Sequence, residues 1–371
     1  MSDSLRRYRA IRGALLQLYP SPLTARQARH LTTLAALISG IVGSRQTHLP
    51  AIASKLPDAT TREHRVKRLA QGAPRWLTNA SVTPARYFLP FAAAVIQSLA
   101  HCPLVLVIDG STVGRDCLAL VVSLVYHGRA LPLAWLVVAQ RKGHVDVGTH
   151  LALLREVQAL VPAETTVVFL GDGEFDGPDL QAELTRLGWS YVCRTAKNIQ
   201  IQSAGEWLTL GDVWVPRGHC LGLPDVRMTA QAYGPVLAIV WWGRAHREPL
   251  YLVTNLDLVA DACWWYRKRF RIETFFSDQK SRGFHLQRSH LADPARLTRL
   301  LMAACLAYLW IIYLGALAQC DEWRRRIHRT DRCDLSLFQL GLALLDHLLN
   351  TGVPLPVVFQ PPRLDTSESV R

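Results

Sequence analysis

The chain has 371 residues, half of them apolar, with 11 tryptophans and a formal net charge of +13. That length builds two or three structural units around a sizeable core, and such a positive surplus favours a polyanionic partner, nucleic acid foremost. The eight cysteines form no Cys-x2-Cys pair, so a zinc ribbon and a disulfide framework are set aside in favour of free core thiols in a reducing, cytoplasmic setting.

The opening "MSDSLRRYRA" has no apolar stretch of the secretory kind, so no leader is expected. Residues 1–100 hold 14 Lys and Arg against three acids, most of the net surplus, which is the pattern of an electrostatic footprint. They read as short helices with tight turns. "LTTLAALISGIVGS" (31–44) is an apolar helix ending at glycine, and "HLPAIASKL" follows it. "TTREHRVKRLAQG" begins with a threonine cap, has Glu63 in its first turn, and carries basic residues to Gly72. This arrangement suits a helical DNA-docking region, although any small helical bundle shares it.

The texture changes at Pro103. "LVLVIDG" (104–110) is a short apolar run rich in β-branched residues and predicts a buried strand. "LALVVSLVYHG" and "ALPLAWLVV" predict two more strands around a His127-Gly128-Arg129 turn. A helix over 150–160, a strand over 165–172, a helix ending at Gly188 and a strand over 190–195 follow. Three antiparallel strands, then helix, strand, helix, strand, is the element order of a ribonuclease H-like sheet. The fold expected is therefore α/β, a mixed sheet flanked by helices. Residues 197–257 alternate short apolar strands with Gly, Pro and charged turns, a β-rich insertion. The predicted division is 1–100 helical, 101–330 α/β, and 331–371 a terminal helix with a disordered tail. Leu300 to Ala318 is a run of 19 residues without a charge. It is long enough to span a bilayer, but its lone occurrence in a globular pattern favours a buried core helix and no membrane.

Two aspartates stand at predicted strand ends, Asp109 in the first and Asp172 in the fourth. In this order the two strands lie side by side and parallel, and sites of open α/β sheets gather at such carboxyl ends. Asp before Gly is also an ordinary turn residue. A third acid would complete a site for two Mg²⁺ ions about 3.5–4 Å apart, which activate a nucleophile and stabilise a leaving oxygen. Glu273 lies in the basic stretch "YRKRFRIETFFSDQK" (266–280). On one continuous helix, Tyr266, Arg269, Glu273 and Lys280 fall within about 60° of each other. Arginine as a fork, lysine as a point charge and tyrosine as a hydrogen-bonding ring suit phosphate.

The spacing Tyr266-x2-Arg269-x3-Glu273-x6-Lys280 resembles the YREK signature of IS4-type DDE transposases. "IETFFSDQKSRGFHLQRSHL", "VIDGS" and "GDGEFDG" carry the resemblance further, over about residues 30–318. It implies a ribonuclease H-like core with a β-strand insertion, and it implies that Asp109, Asp172 and Glu273 bind two divalent metals, Mg²⁺ with Mn²⁺ as a substitute. It also implies a transposase that cleaves double-stranded DNA at terminal inverted repeats and joins the 3′-hydroxyl to target DNA, working as a homodimer on paired ends. The alternative is a catalytically inactive or repurposed DNA-binding relative. One departure is that Gly173 stands where the family often has Arg, and Asp176 remains a rival ligand. Trp241 and Trp242, in the insertion, are candidates for stacking a flipped base, against packing within the insertion itself. Trp264 and Trp265 read as core or helix-start contacts. Arg194 and Lys197 could touch phosphate or simply end a strand. His127, His144 and His150 lack ligand spacing and read as structural or exposed.

Overall fold

The computed structural model describes residues 2–19, 22–57, 60–70, 76–140, 145–319, 321–329 and 333–362. Six helices precede the sheet: α1 (Asp3–Gln17), α2 (Ala25–Ser44), α3 (Leu49–Ser54), α4 (Arg62–Ala70), α5 (Pro84–Tyr87) and α6 (Leu89–Leu99). Thr24 caps α2 in a full capping box with Gln27, and α2 runs through Gly40 and Gly43 to end on the left-handed Arg45 (φ 52°). The amide of His64 donates to the Thr61 hydroxyl (3.3 Å), the predicted threonine cap of α4. Gln71 and Gly72, the predicted end of that helix, lie outside the described residues, as do His144, Cys320 and the tail from 363.

The sheet begins with β1 (Leu104–Val113), β2 (Cys117–Tyr126) and β3 (Arg129–Val138), an antiparallel meander. His127 (φ 40°) and Gly128 (φ 77°) make the β2–β3 turn, which needs two left-handed residues in succession. Pro132 is tolerated because β3 is an edge strand, and its register is broken beside it at Val122/Ser123. Then come α7 (Val147–Gln158), β4 (Val167–Gly171), α8 (Pro178–Arg186) and β5 (Ser190–Thr195). β4 pairs parallel with β1 and with β5. The order β3-β2-β1-β4-β5 is the ribonuclease H-like arrangement expected from the sequence. The near-continuous burial of β1 and β2 is what strands covered on both faces require.

The insertion supplies β6 (Gln200–Ser203), β7 (Glu206–Thr209), β8 (Cys220–Met228), β9 (Tyr233–Trp241) and β10 (Leu250–Thr254). These strands extend the central sheet, because β10 pairs antiparallel with β5 and the order continues β10-β9-β8-β6-β7 to give ten strands. After it the chain forms α9 (Val259–Tyr266), α10 (Arg271–Gln279), α11 (Pro294–Ala318), α12 (Asp321–Ile327) and α13 (Leu337–Asn350).

The uncharged run lies in α11, and 89% of the helix's most apolar window is buried inside the protein. It packs on α13, α2 and β3, so its apolarity is satisfied by the core. The helical region is bound to the same core. Trp76 Nε1 donates to the Arg299 carbonyl (3.1 Å), and Arg299 donates back to the carbonyls of Leu77 (2.9 Å) and Val82 (3.1 Å). The Arg6 guanidinium donates to the carbonyls of Leu348, Leu349 and Val353 at the carboxyl end of α13. There it adds a donor to carbonyls of the helix's last turn and of the chain just beyond it.

Not every cysteine is a core thiol. Cys117, Cys193, Cys263 and Cys305 are buried, whereas Cys102, Cys220 and Cys333 are exposed. The apolar runs around them do not determine which way a single side chain faces.

Candidate active site

β1 and β4 pair with Val107 opposite Leu170. The paired register ends there; Asp109 follows two residues on in β1, Asp172 just past the end of β4, and the charge of Asp172 acts on Asp109. Each carboxylate is anchored by one oxygen. The Gly110 amide donates to Asp109 Oδ1 (2.7 Å), and the Glu174 amide donates to Asp172 Oδ1 (3.1 Å). The turn after β4 closes with the Phe175 amide donating to the Asp172 carbonyl (3.0 Å). Gly171 is required there, since a Cβ would sit 2.6 Å from the Phe175 Cβ. The second oxygen of Asp109 faces Arg269 Nη1 at 3.5 Å.

The signature stretch is not one continuous helix. α9 ends at Tyr266 and α10 begins at Arg271. Between them the amides of Lys268, Arg269, Arg271, Ile272 and Glu273 all donate three residues back instead of four. This tightened, 3₁₀-like segment turns faster than 100° per residue, so the simple projection is corrected. The stripe still converges. Arg269 Nη1 lies 3.5 Å from Asp109 Oδ2 and its Nη2 lies 3.3 Å from Glu273 Oε1. Lys280 follows α10 and donates from Nζ to Ser111 Oγ (2.6 Å), two residues beyond Asp109 on β1. Tyr266 is 1% exposed; burial pushes its phenol up to about 12 against the pull of Arg269 and Arg194, with Asp172 acting in the opposite sense.

Burial pushes the Asp109 carboxyl up to about 6, the charge of Asp172 adds to this, Arg269 and the Gly110 amide oppose it, and Glu273 raises it further. Asp172 and Glu273 thus both act on Asp109, and burial is the larger cause of its shift. The oxygen-only chemistry of these three carboxylates fits a hard divalent cation. Among the described residues no three of His, Cys, Asp and Glu are gathered closely enough to hold a metal ion. Arg269 lies between Asp109 and Glu273, and the Glu273 side chain, paired with it, is 58% exposed.

Arg194 is exposed on β5, and its charge acts on Tyr266. Lys197 is exposed too, and its carbonyl accepts from the Gly211 amide (2.7 Å), which holds the insertion's first turn. Asp176 accepts from the Thr195 hydroxyl (2.6 Å). Trp241 is 9% exposed, edge-on to His246 and under the Arg267 guanidinium (5.2 Å). Trp242 donates from Nε1 to the His246 carbonyl (3.3 Å). Trp264, expected in the core or at the helix start, is instead 51% exposed. His150 is buried against Phe175 and near Glu174 (3.7 Å), and His127 sits in the β2–β3 turn.

Two participants escape sequence reasoning. Ser111 holds Lys280, and only its position in "VIDGS" points to it. Glu174 accepts from the Val145 amide (2.9 Å) and so ties the turn after β4 to the start of α7. No sequence spacing links residues 145 and 174.

Among solved structures, the chain is similar to piggyBac transposase in a synaptic complex with hairpin DNA, determined by cryo-EM. The two are 12% identical, the match covers 99% of this chain and 85% of that one, and the TM-score is 0.45. No curated protein matches the sequence. The family described as the transposase DDE domain matches residues 100–310, more than half of the chain and the whole span from Asp109 through Glu273. The chain therefore belongs to the transposase DDE domain family.

Proposed function

We propose that this chain is an IS4-type transposase that cleaves double-stranded DNA at the terminal inverted repeats of an insertion sequence and joins the freed 3′-hydroxyl to target DNA. What supports this reading is that Asp109 and Asp172 follow the carboxyl ends of the paired stretches of adjacent parallel strands, with Arg269 linking Asp109 to Glu273. Asp109, Asp172 and Glu273 would hold two Mg²⁺ ions, or Mn²⁺ in their place. When bound, such ions activate the attacking oxygen and neutralise charge on the leaving one.

The remaining roles belong to side chains. The Arg269 guanidinium donates to Asp109 and Glu273 and would offer a phosphodiester a fork in their place. Its Nε is buried without a protein acceptor, a donor still to be satisfied. Lys280, steadied by Ser111, supplies a compact charge beside Asp109. Tyr266 stays protonated at physiological pH and can only donate to a phosphate oxygen. Arg194 and Lys197 extend the positive rim. The basic helical region grips the inverted repeats, two chains pair the ends, and the protein works in the cytoplasm.

Glu273 is half exposed, so Glu273→Gln leaves folding intact. Cleavage of DNA carrying the element's ends is expected to vanish in that variant, while a gel-shift assay shows unchanged binding. Chelation with EDTA has the same expected split. Wild-type cleavage by Glu273→Gln overturns the assignment. A wild-type protein that binds ends in Mg²⁺ and never cuts them would be the inactive, DNA-binding relative.

A further inference from the structure

A second concavity lies away from the carboxylates. It opens at the amino end of β1, beside Leu104 and Tyr126, and has a volume of about 490 Å³, within the range of small-ligand pockets. Asp109 is five residues further along β1, roughly 17 Å at the usual strand rise. The wall contains Trp264, Trp265, Lys268, Arg271, His101 and His127, and among the described residues no Asp or Glu lines it.

The two tryptophans stand edge to face with centroids 4.4 Å apart. Lys268 Nζ lies 3.4 Å from the Trp264 centroid and 4.3 Å from that of Trp265. Burial alone lowers the Lys268 pKa, with no acid near enough to raise it. An ammonium that is partly desolvated without a counter-ion favours an arriving anion. Trp264 remains 51% exposed even with the lysine over it, so ring surface is left for stacking.

We infer that this cavity binds one nucleotide of a single DNA strand, its base stacked on Trp264 and its phosphate held by Lys268 and Arg271. An aromatic platform next to cations, without acids, is the chemistry by which proteins hold single strands irrespective of sequence. A free nucleotide presents the same base and phosphate. The strand is favoured because Arg271, also exposed, extends positive charge beyond the single ring pair. The inference takes from the transposase reading only the source of the strand.

The test is a titration of the full chain, in EDTA, with fluorescein-labelled oligothymidylate, a duplex of equal length and ATP. Wild type is expected to bind the single strand with quenching of tryptophan fluorescence. Trp264→Ala and Lys268→Gln are each expected to weaken that binding about tenfold, and Trp264→Phe to recover most of it. Duplex affinity stays within twofold in all three variants, and ATP binds far more weakly than the strand. Thermal melts report folding, and Lys268→Gln keeps the side chain's size. Single-strand affinity unchanged in both Trp264→Ala and Lys268→Gln overturns the site. Equal losses on duplex overturn its preference for single strands, and ATP binding as tight as the strand assigns the cavity to a free nucleotide. No metal is present and no cleavage is read, so this result is independent of what Glu273→Gln does to catalysis.

Discussion

At the scale of single residues, the helix that carries Glu273 is held by a buried ion pair. Asp278 on α10, 4% exposed, accepts from Arg129 Nη1 at 2.8 Å at the start of β3. Burial pushes the Asp278 carboxyl up to about 6 from an ordinary 3.8, although Arg129 and Arg282 pull it down. Desolvation therefore outweighs the partner, as buried pairs often show. The sign of the pH effect follows. An acid raised in the folded state gives stability that is fully present below its unfolded pKa and is lost as pH rises through the folded one. The window runs from 3.8 to about 6. Asp278→Asn has no such loss, so the stability difference should move in its favour by about 3 kcal/mol between pH 3.5 and 7. Urea unfolding of both proteins across that range measures it. A pH-independent difference would show that Asp278 titrates normally and that its burial has no electrostatic cost.

At the scale of elements, α11 and α13 approach through glycines. A Cβ at Gly341 would strike the Ile311 carbonyl, and one at Gly315 would strike the Leu337 carbonyl. In an exposed helix Gly→Ala adds about 1 kcal/mol of stability. Here the sign should reverse: Gly341→Ala is expected to cost roughly 1–3 kcal/mol through overpacking, read as a lower melting temperature. An unchanged or raised one would mean that the two helices part freely. The glycines are visible in the sequence, but which backbone they face is not, since that depends on how two helices separated by 18 residues are docked. The α9–α10 junction is a similar case. The spacing from Tyr266 to Lys280 is legible because contacts within a helix are local. The tightening at 267–270 is not, because nothing in Arg-Lys-Arg-Phe opposes an ordinary helix. Asp109 and Asp172 are legible as strand-end acids, and their nearness follows from the parallel β1–β4 pairing, a long-range choice. The exposure of Trp264 is hidden for the same reason: an apolar helical turn, here the last of α9, looks alike whether a neighbour covers it or not.

For the whole molecule, strand type and the order of the first five strands follow from local pattern and crossover rules, but the continuation of the insertion into the same sheet does not. It depends on β10 choosing β5 as its partner, a long-range pairing that local pattern does not specify. The helical region raises the corresponding question about boundaries. Composition separates 1–100 from the rest by its charge, yet α2 packs on α11, and Trp76, Arg299 and Arg6 join the two ends of the chain through backbone carbonyls. α11 is a long, apolar helix, and a fragment beginning at residue 101 would bare the face that α2 covers. Contiguous apolar surface beyond a few hundred Å² drives association, so fragment 101–371 is expected to aggregate when made alone. Residues 1–100 made in the same cell should restore it to solution, because the lost contacts are packing and hydrogen bonds that need no covalent link. Size-exclusion chromatography of both preparations reads the result. A monodisperse 101–371 with a cooperative melt would overturn the shared core and make the basic helices a separable arm. If instead the two parts stand or fall together, the positive charge of the first hundred residues is fixed relative to Asp109 and Asp172. DNA gripped by those helices would then reach the carboxylates in one set orientation, with no hinge to absorb an error in register.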